Sequence, residues 1–167
     1  MGRLILTNPT GLKDFGENSF PLLARAILKP LTETPGLRLA FYRALFHRRG
    51  FIANWYRQQG FADPGAVPEE VIDGALYSAT RPNAAYSALP FLTGALHYDI
   101  VPLLRRVAVP TRLILGGDPR FVGVANARRL AQLRADIATI TIEGAKACPE
   151  LEQPEAVRQA IEAALAP

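Results

Sequence analysis

Cysteine is scarce in this sequence: Cys148 is the only one among 167 residues, which excludes a disulfide within the chain. There is also no apolar run long enough to cross a bilayer. The stretch MGRLILTNPTG at the N-terminus turns polar too soon for a secretory signal peptide. From these absences we expect a cytoplasmic protein that does not interact with a membrane.

Lysine is also scarce, and most of the basic residues are arginines scattered along the chain. The formal net charge is +4 and the isoelectric point is about 9.6. No nucleic-acid-binding motif accompanies the arginines, so a solvated basic surface is the better interpretation. We therefore expect no nucleic-acid partner, and we expect neither a metal nor a cofactor.

Three short apolar segments predict β-strands: Arg3 to Thr7, Thr111 to Leu115 and Ile137 to Ile142. Each is apolar almost throughout rather than alternating, which is typical of parallel strands covered on both faces. The pattern predicts a helix after each of the last two, over 126–134 and 154–165. Together these segments indicate an α/β protein with a short three-stranded parallel sheet and flanking helices.

Between the first and second strands the pattern predicts only helices, interrupted by proline and glycine. In order, the predicted helices cover 20–31, 35–46, 50–59, 68–78 and 83–96. A helical insertion of this length far exceeds an ordinary crossover connection. We therefore divide the chain into a first core strand and loop (1–17), a large inserted helical region (18–106) and a C-terminal core (107–167).

Three phrases resemble, in order and spacing, the C-terminal portion of an α/β-hydrolase. RLILTNPTGLKDF, from Arg3 to Phe15, is similar to the family's sixth strand and the loop into its helical cap. VAVPTRLILGGDPRFV, from Val107 to Val122, is similar to its seventh strand and acid loop. GAKACPELEQPEAV, from Gly144 to Val157, is similar to its histidine loop and last helix. The resemblance implies a partial α/β-hydrolase fold in which the inserted helices form the cap.

The resemblance also implies a catalytic triad, and several of its parts are missing from this sequence. There is no G-x-S-x-G nucleophile elbow, and the family's oxyanion hole is lost with the same region. The family's histidine position holds Ala147. Cys148 follows in the same loop, where a small buried hydrophobe is a simpler interpretation than a thiol nucleophile.

The remaining candidates for triad chemistry are Asp118, Asp14 and His97. Asp118 stands one residue before the family's acid position, and turn formation is its simpler interpretation. Asp14 follows the first strand, where some members of the family carry their acid. His97 lies at the exit of the cap and is the candidate base, with a structural role as the alternative. His47 is expected to end a cap helix, where a cation complements the helix dipole.

Aromatic side chains of the predicted cap are candidates for lining an apolar acyl or aryl pocket, which would bind a small apolar ligand. They are Trp55, Tyr56, Phe91 and Tyr98. The alternative is that they pack the helices against the sheet.

The resemblance leaves the strand Arg3 to Thr7 as an unpaired apolar edge. We therefore expect an N-terminal complementary chain or self-association through this edge, with a longer gene product as a further alternative. The functional hypothesis is an α/β-hydrolase-like protein with a degenerate or incomplete triad, forming the cap and C-terminal half of an esterase-like or carbon–carbon-bond hydrolase. The alternative is a non-catalytic ligand- or partner-binding protein derived from that fold. In either case we expect the chain alone to be inactive.

Overall fold

The structure is a computed structural model that describes residues 2–9, 34–92, 99–118, 120 and 122–166. These residues form two compact units. The first unit holds the described residues of Met1–Leu12, Arg57–Val67 and Asp99–Pro167, and the second holds those of Lys13–Tyr56 and Pro68–Tyr98. Residues 57–67 and 99–106, which fall in the inserted region of the sequence-based division, belong to the first unit.

The described helices follow one another along both units. They are α1 (Pro35–Phe46), α2 (Arg49–Trp55), α3 (Glu69–Ala79), α4 (Ala85–Leu92), α5 (Val101–Arg106), α6 (Val122–Ala131), α7 (Pro149–Glu152) and α8 (Pro154–Leu165). A π-helical turn (Tyr56–Gly60) and a 3-10 turn (Pro64–Ala66) lie between α2 and α3. No helix within the described ranges is long and apolar enough to cross a bilayer.

The first unit is built on a three-stranded parallel sheet. Its strands are β1 (Leu4–Thr7), β2 (Thr111–Gly116) and β3 (Ile137–Ile142), and β2 lies between the other two. Thr111 pairs with Leu4 on one side and with Ile137 on the other. The predicted α/β architecture is confirmed, with each strand at the predicted apolar segment.

Alternate residues of β2 face opposite sides of the sheet. On one side, Leu113 and Leu115 pack with Leu130 of α6. On the other side, Ile114 packs with Val157 and Ala160 of α8. Because helices cover both faces, the consecutive apolar residues Leu113, Ile114 and Leu115 are all buried, which explains why this part of β2 shows no polar alternation.

The described part of the second unit contains helices α1 to α4, with Tyr42, Ala85 and Leu89 in a buried cluster. The ring of Tyr42 stacks on Phe46 at 4.9 Å between centroids. Its hydroxyl donates a hydrogen bond to the carbonyl oxygen of Ala79 at 3.0 Å. Tyr42 therefore satisfies its polar group while contributing an aromatic ring to the core.

The predicted helices agree with the structure to different degrees. The helix predicted at 35–46 has those bounds, and the one predicted at 50–59 ends as an α-helix at Trp55 and continues as the π-helical turn. The helix predicted at 20–31 lies outside the described residues. Helices α5 and α7 were not predicted, because six and four residues are too few to show a helical period.

Candidate functional site

The loops that follow the three strands of the first unit meet at the carboxyl edge of the sheet, where ligand sites of open α/β sheets are found. Asn8 follows β1, Asp118 follows β2, and Lys146 and Ala147 follow β3. Hydrogen bonds join all three loops at this edge. The candidate site is therefore assembled from distant parts of the sequence.

Asn8 links the loops to one another. Its Nδ2 donates hydrogen bonds to the carbonyl oxygens of Lys146 at 2.9 Å and Ala147 at 3.0 Å, and its Oδ1 accepts one from the backbone N–H of Gly116 at 3.0 Å. The backbone of Asn8 has a positive φ of 38°, which asparagine tolerates better than most residues. Sequence reasoning missed Asn8, although an asparagine immediately after a strand was the available signal.

Gly116 lets the loop after β3, which holds Lys146 and Ala147, approach β2 closely. A Cβ at Gly116 would lie 2.0 Å from the carbonyl oxygen of Lys146 and 2.9 Å from that of Ala145. Asp118 N–H donates to the oxygen of Ala145 at 2.9 Å, which holds the two loops together just beyond the glycine. The contact is backbone against backbone, so a side chain at Gly116 could not turn away from it.

Asp118 is buried, and its carboxylate is bound by Arg120. Oδ1 accepts from the backbone N–H of Arg120 at 2.9 Å, and both carboxylate oxygens accept from its Nε at 2.9 Å. Nη2 of Arg120 also contacts Oδ2 and donates to the carbonyl oxygen of Ala62 at 3.1 Å. The Arg120 hydrogen bonds lower the pKa of Asp118 to about 2, opposed by its desolvation and supported by the charge of Lys146.

Residues 58–62 pack against the loop after β3. The carbonyl oxygen of Gly60 accepts from the N–H of Ala147 at 3.0 Å and from that of Cys148 at 3.3 Å. Lys146 is buried, and its Nζ donates to the carbonyl oxygen of Gln58. The loop that resembles a histidine loop is thus held by backbone hydrogen bonds at the position of Ala147.

Glu152, the last residue of α7, bridges the same two segments. Its Oε1 accepts from the N–H of Lys146 at 2.6 Å, and its Oε2 accepts from the N–H of Ala62 at 2.6 Å. Hydrogen bonds from backbone N–H groups to a carboxylate are strong and directional, so Glu152 holds the two segments together. Sequence reasoning missed this role because Ala62 is 90 residues away.

Cys148 is half-buried at the start of α7. Burial, with the nearby charges of Glu150 and Glu152, raises the pKa of its thiol to about 11. Because the thiolate is the reactive form, Cys148 remains a protonated thiol near neutral pH.

The structure describes the side chains of two of the four candidate pocket residues, Trp55 and Tyr56. Trp55 is 45% exposed and meets the ring of Tyr56 edge-on, with 5.1 Å between centroids, in the second unit. The side chain of Phe91 and all of Tyr98 lie outside the described residues. The structure therefore brings together Trp55 and Tyr56 alone from this set.

The other triad candidates are placed unequally. Asp14 and His97 lie outside the described residues, so Asp118 is the triad candidate that the structure locates. His47 follows α1 as predicted, with its ring edge-on to Tyr42 at 5.7 Å. Across the described ranges, no three histidine, cysteine, aspartate or glutamate side chains come together as a metal site.

Solved structures share this arrangement of sheet and helices. A probable hydrolytic enzyme from Pseudomonas aeruginosa PAO1 matches 99% of this chain with a TM-score of 0.68 and 20% identity, over 55% of its own length. A bromoperoxidase from Bacillus anthracis matches 98% with a TM-score of 0.67 and 13% identity, over 57% of its length. A thermophilic esterase from Thermogutta terrifontis matches 96% with a TM-score of 0.59 and 21% identity, over 54% of its length.

No protein-family model and no curated protein sequence matches the chain. The structural relatives are all α/β-hydrolase-fold enzymes, and the chain spans about half the length of each. At these identities the likeness establishes the fold and leaves the activity open. With its three-stranded parallel sheet flanked by helices, this chain has the fold of the C-terminal portion of an α/β-hydrolase.

Proposed function

We propose that this chain is an α/β-hydrolase-like protein whose acid and histidine loops have become structural, and that the chain alone does not hydrolyse esters. The hydrogen bonds of Asp118 to Arg120 carry this proposal. In a working triad the carboxylate accepts a hydrogen bond from the base and stabilises its cation. Here the guanidinium of Arg120 donates hydrogen bonds to both carboxylate oxygens of Asp118. Ala147, at the position of the base, has no group that can take a proton.

Binding is the function that this arrangement supports. Side chains of Asn8, Glu152 and Arg120 form hydrogen bonds that connect the loops of the carboxyl edge, as expected for a structural role of these loops. A non-catalytic protein that binds a small apolar ligand or a partner fits a site without an available base. This is a proposal about the chain by itself, because its solved relatives are about twice as long.

Hydrolysis of p-nitrophenyl acetate tests the absence of catalysis. The wild-type chain and the Asp118→Asn variant should release p-nitrophenol at the same rate, equal to that of an inert protein at the same concentration. Asp73→Asn is a matched control, because Asp73 is an exposed aspartate of the second unit that also pairs with an arginine. Activity that disappears in Asp118→Asn and survives in Asp73→Asn would overturn the proposal.

A second candidate function is that of a cap and C-terminal half completed by an N-terminal α/β-hydrolase segment. Among the described residues, β1 pairs only with β2, although Leu4, Ile5 and Leu6 are half-buried and apolar. The N–H groups of Leu4 and Asn8 donate toward β2, to Pro110 and Ile114. Alternation along the strand directs the N–H groups of Ile5 and Thr7 to the opposite edge, where a further parallel strand would accept them.

The native mass of the protein purified from its own cells, followed by the masses of its denatured components, tests this candidate. A second, different component beside the 18.2 kDa chain supports an N-terminal partner. A single longer polypeptide means that the complementary strand is covalently attached. The 18.2 kDa chain alone, or paired with itself, contradicts the candidate and leaves the non-catalytic binding protein.

Substitutions at Thr7 show whether the β1 edge makes the contact. Thr7→Pro removes an N–H from the outer edge and leaves the donors toward β2 in place. Thr7→Val retains that N–H and is the matched control. Loss of the partner in Thr7→Pro but not in Thr7→Val identifies the edge, and equal retention in both excludes it.

A further inference from the structure

A groove of about 410 Å³ lies in the second unit, between α1 and the turn that joins α3 to α4. Three arginines and one histidine line it: Arg38, Arg43, Arg81 and His47. Among the described residues that line the groove, none is an aspartate or a glutamate. Its charged lining is therefore of one sign.

Within the part of the chain that the structure describes, no carboxylate pairs with the arginines of the groove, whereas several other arginines have such partners. Arg49 pairs with Glu69 and Asp73, and Arg158 pairs with Glu155 and Glu162. Within the ranges that the structure describes, Arg38 and Arg43 form no ion pair and Arg81 contacts a tyrosine instead. No carboxylate among the described residues therefore neutralises the positive charge of the groove.

Aromatic rings hold two of the groove arginines. The guanidinium of half-buried Arg38 lies 4.2 Å from the centroid of the Tyr86 ring. That of Arg81 lies 5.1 Å from the Tyr77 centroid, and its Nη1 donates to the Tyr77 hydroxyl at 3.0 Å. Stacking occupies the face of a guanidinium and leaves N–H groups at its edge available for an oxyanion. The rings also restrict the side chains, so less rotamer freedom is lost on binding.

Neighbouring positive charges without counterions repel one another, and a bound anion relieves that repulsion. The first turn of α4 adds to the effect, because it begins at Ala85 in the wall of the groove and a helix N-terminus carries partial positive charge. A single carboxylate would neutralise only one of three guanidiniums. A phosphate monoester carries close to two negative charges at neutral pH and three acceptor oxygens, so it matches the groove better.

The remaining lining gives the ligand an apolar body. Leu39, Tyr42 and Pro82 contribute apolar surface beside the arginines, and the volume is within the range of small-molecule sites. We propose that the groove binds a small organic phosphate monoester, with the phosphate held by Arg38, Arg43 and Arg81. This site lies within the second unit and is independent of the function proposed for the loops of the first.

Titration with phenyl phosphate, followed by amide chemical shifts, tests the site. Phenyl phosphate should shift the amides of residues 80–86 and bind at least about tenfold more tightly than benzoate, which has the same ring and one charge fewer. Arg38→Gln and Arg81→Gln should each weaken binding by about tenfold. Arg158→Gln removes one positive charge far from these lining residues in sequence, in the other unit, and should leave affinity unchanged.

Three results would overturn the proposal. The first is equal affinity for phenyl phosphate and benzoate, and the second is an equal loss of affinity in Arg158→Gln and Arg38→Gln, which would indicate general charge attraction. The third is the absence of saturable shifts at 80–86 at millimolar phenyl phosphate. Arg81 is exposed, so Arg81→Gln should retain the wild-type circular dichroism spectrum and keep the test interpretable.

Discussion

The backbone N–H of Ala147 donates a hydrogen bond to the carbonyl oxygen of Gly60 across 3.0 Å. Ala147 stands where the resemblance to α/β-hydrolases implies a catalytic histidine. At this position the loop contributes a backbone contact to residues 57–67 of the same unit. The loop after β3 can therefore be retained because it stabilises the fold, whether or not it carries a proton-transfer group.

We expect the ion pair of Asp118 to make stability depend on pH. Its pKa is lowered from 3.8 to about 2, chiefly by hydrogen bonds from Arg120, so the native state favours the ionised carboxylate. The stabilising contribution is fully present above about pH 4 and is lost as the pH falls through about 2. The difference in urea unfolding free energy between wild type and Asp118→Asn should shrink over that range.

The exposed carboxylate Glu150 provides the control for Asp118. Glu150→Gln removes a carboxylate that is exposed and that forms no ion pair among the described residues, so it shows the effect of losing a carboxylate without losing an ion pair. A difference between wild type and Asp118→Asn that stays constant between about pH 5 and about pH 2 contradicts the role assigned to Arg120.

We expect Asn8→Gly to destabilise the fold by about 2 kcal/mol, because it removes three hydrogen bonds at the carboxyl edge of the sheet. Glycine accepts positive φ, so the loss reports the side chain rather than backbone strain. Asn83→Gly is the matched control: Asn83 has a φ of 68° and is exposed. Equal unfolding free energies for the two variants would show that the Asn8 amide does not fasten the loops.

Local patterns explain why the strands could be predicted and the loop contacts could not. Strands β1, β2 and β3 are short segments of four to six residues, most of them apolar, which is a local signal. The amide of Asn8, by contrast, reaches carbonyl groups 138 and 139 residues away, and nothing near position 8 encodes that distance. Arg120 is only two residues from Asp118, yet an arginine so close is equally consistent with a solvated loop.

We expect Gly116→Ala to be severely destabilising, by more than about 3 kcal/mol, because its Cβ would lie 2.0 Å from the oxygen of Lys146. Gly74→Ala introduces the same methyl group in the interior of α3, where nothing lies within 4 Å. It should stabilise the protein by about 0.5–1 kcal/mol. Chemical denaturation of both variants measures the contrast, and a tolerated Gly116→Ala would mean that the two loops are not in close contact.

We expect Cys148 to alkylate slowly. With a thiol pKa of about 11, the native chain at pH 8 should react with iodoacetamide on the order of 100-fold more slowly than the same chain unfolded in urea. The rate should rise with pH toward 11, and Glu150→Gln should raise it slightly at pH 8 because Glu150 contributes to the shift. Equal alkylation rates for the native and the unfolded chain would contradict the raised pKa and make Cys148 a candidate nucleophile.

The absence of an activated nucleophile is tested most directly by a fluorophosphonate, which phosphonylates activated serines and releases fluoride. The native 167-residue chain is incubated with the reagent, and its intact mass is measured by mass spectrometry. We expect the mass of the unmodified chain. Treatment of an active serine hydrolase in the same tube confirms that the reagent works. Stoichiometric addition at one residue of this chain, prevented by prior unfolding, would contradict the account and identify the nucleophile.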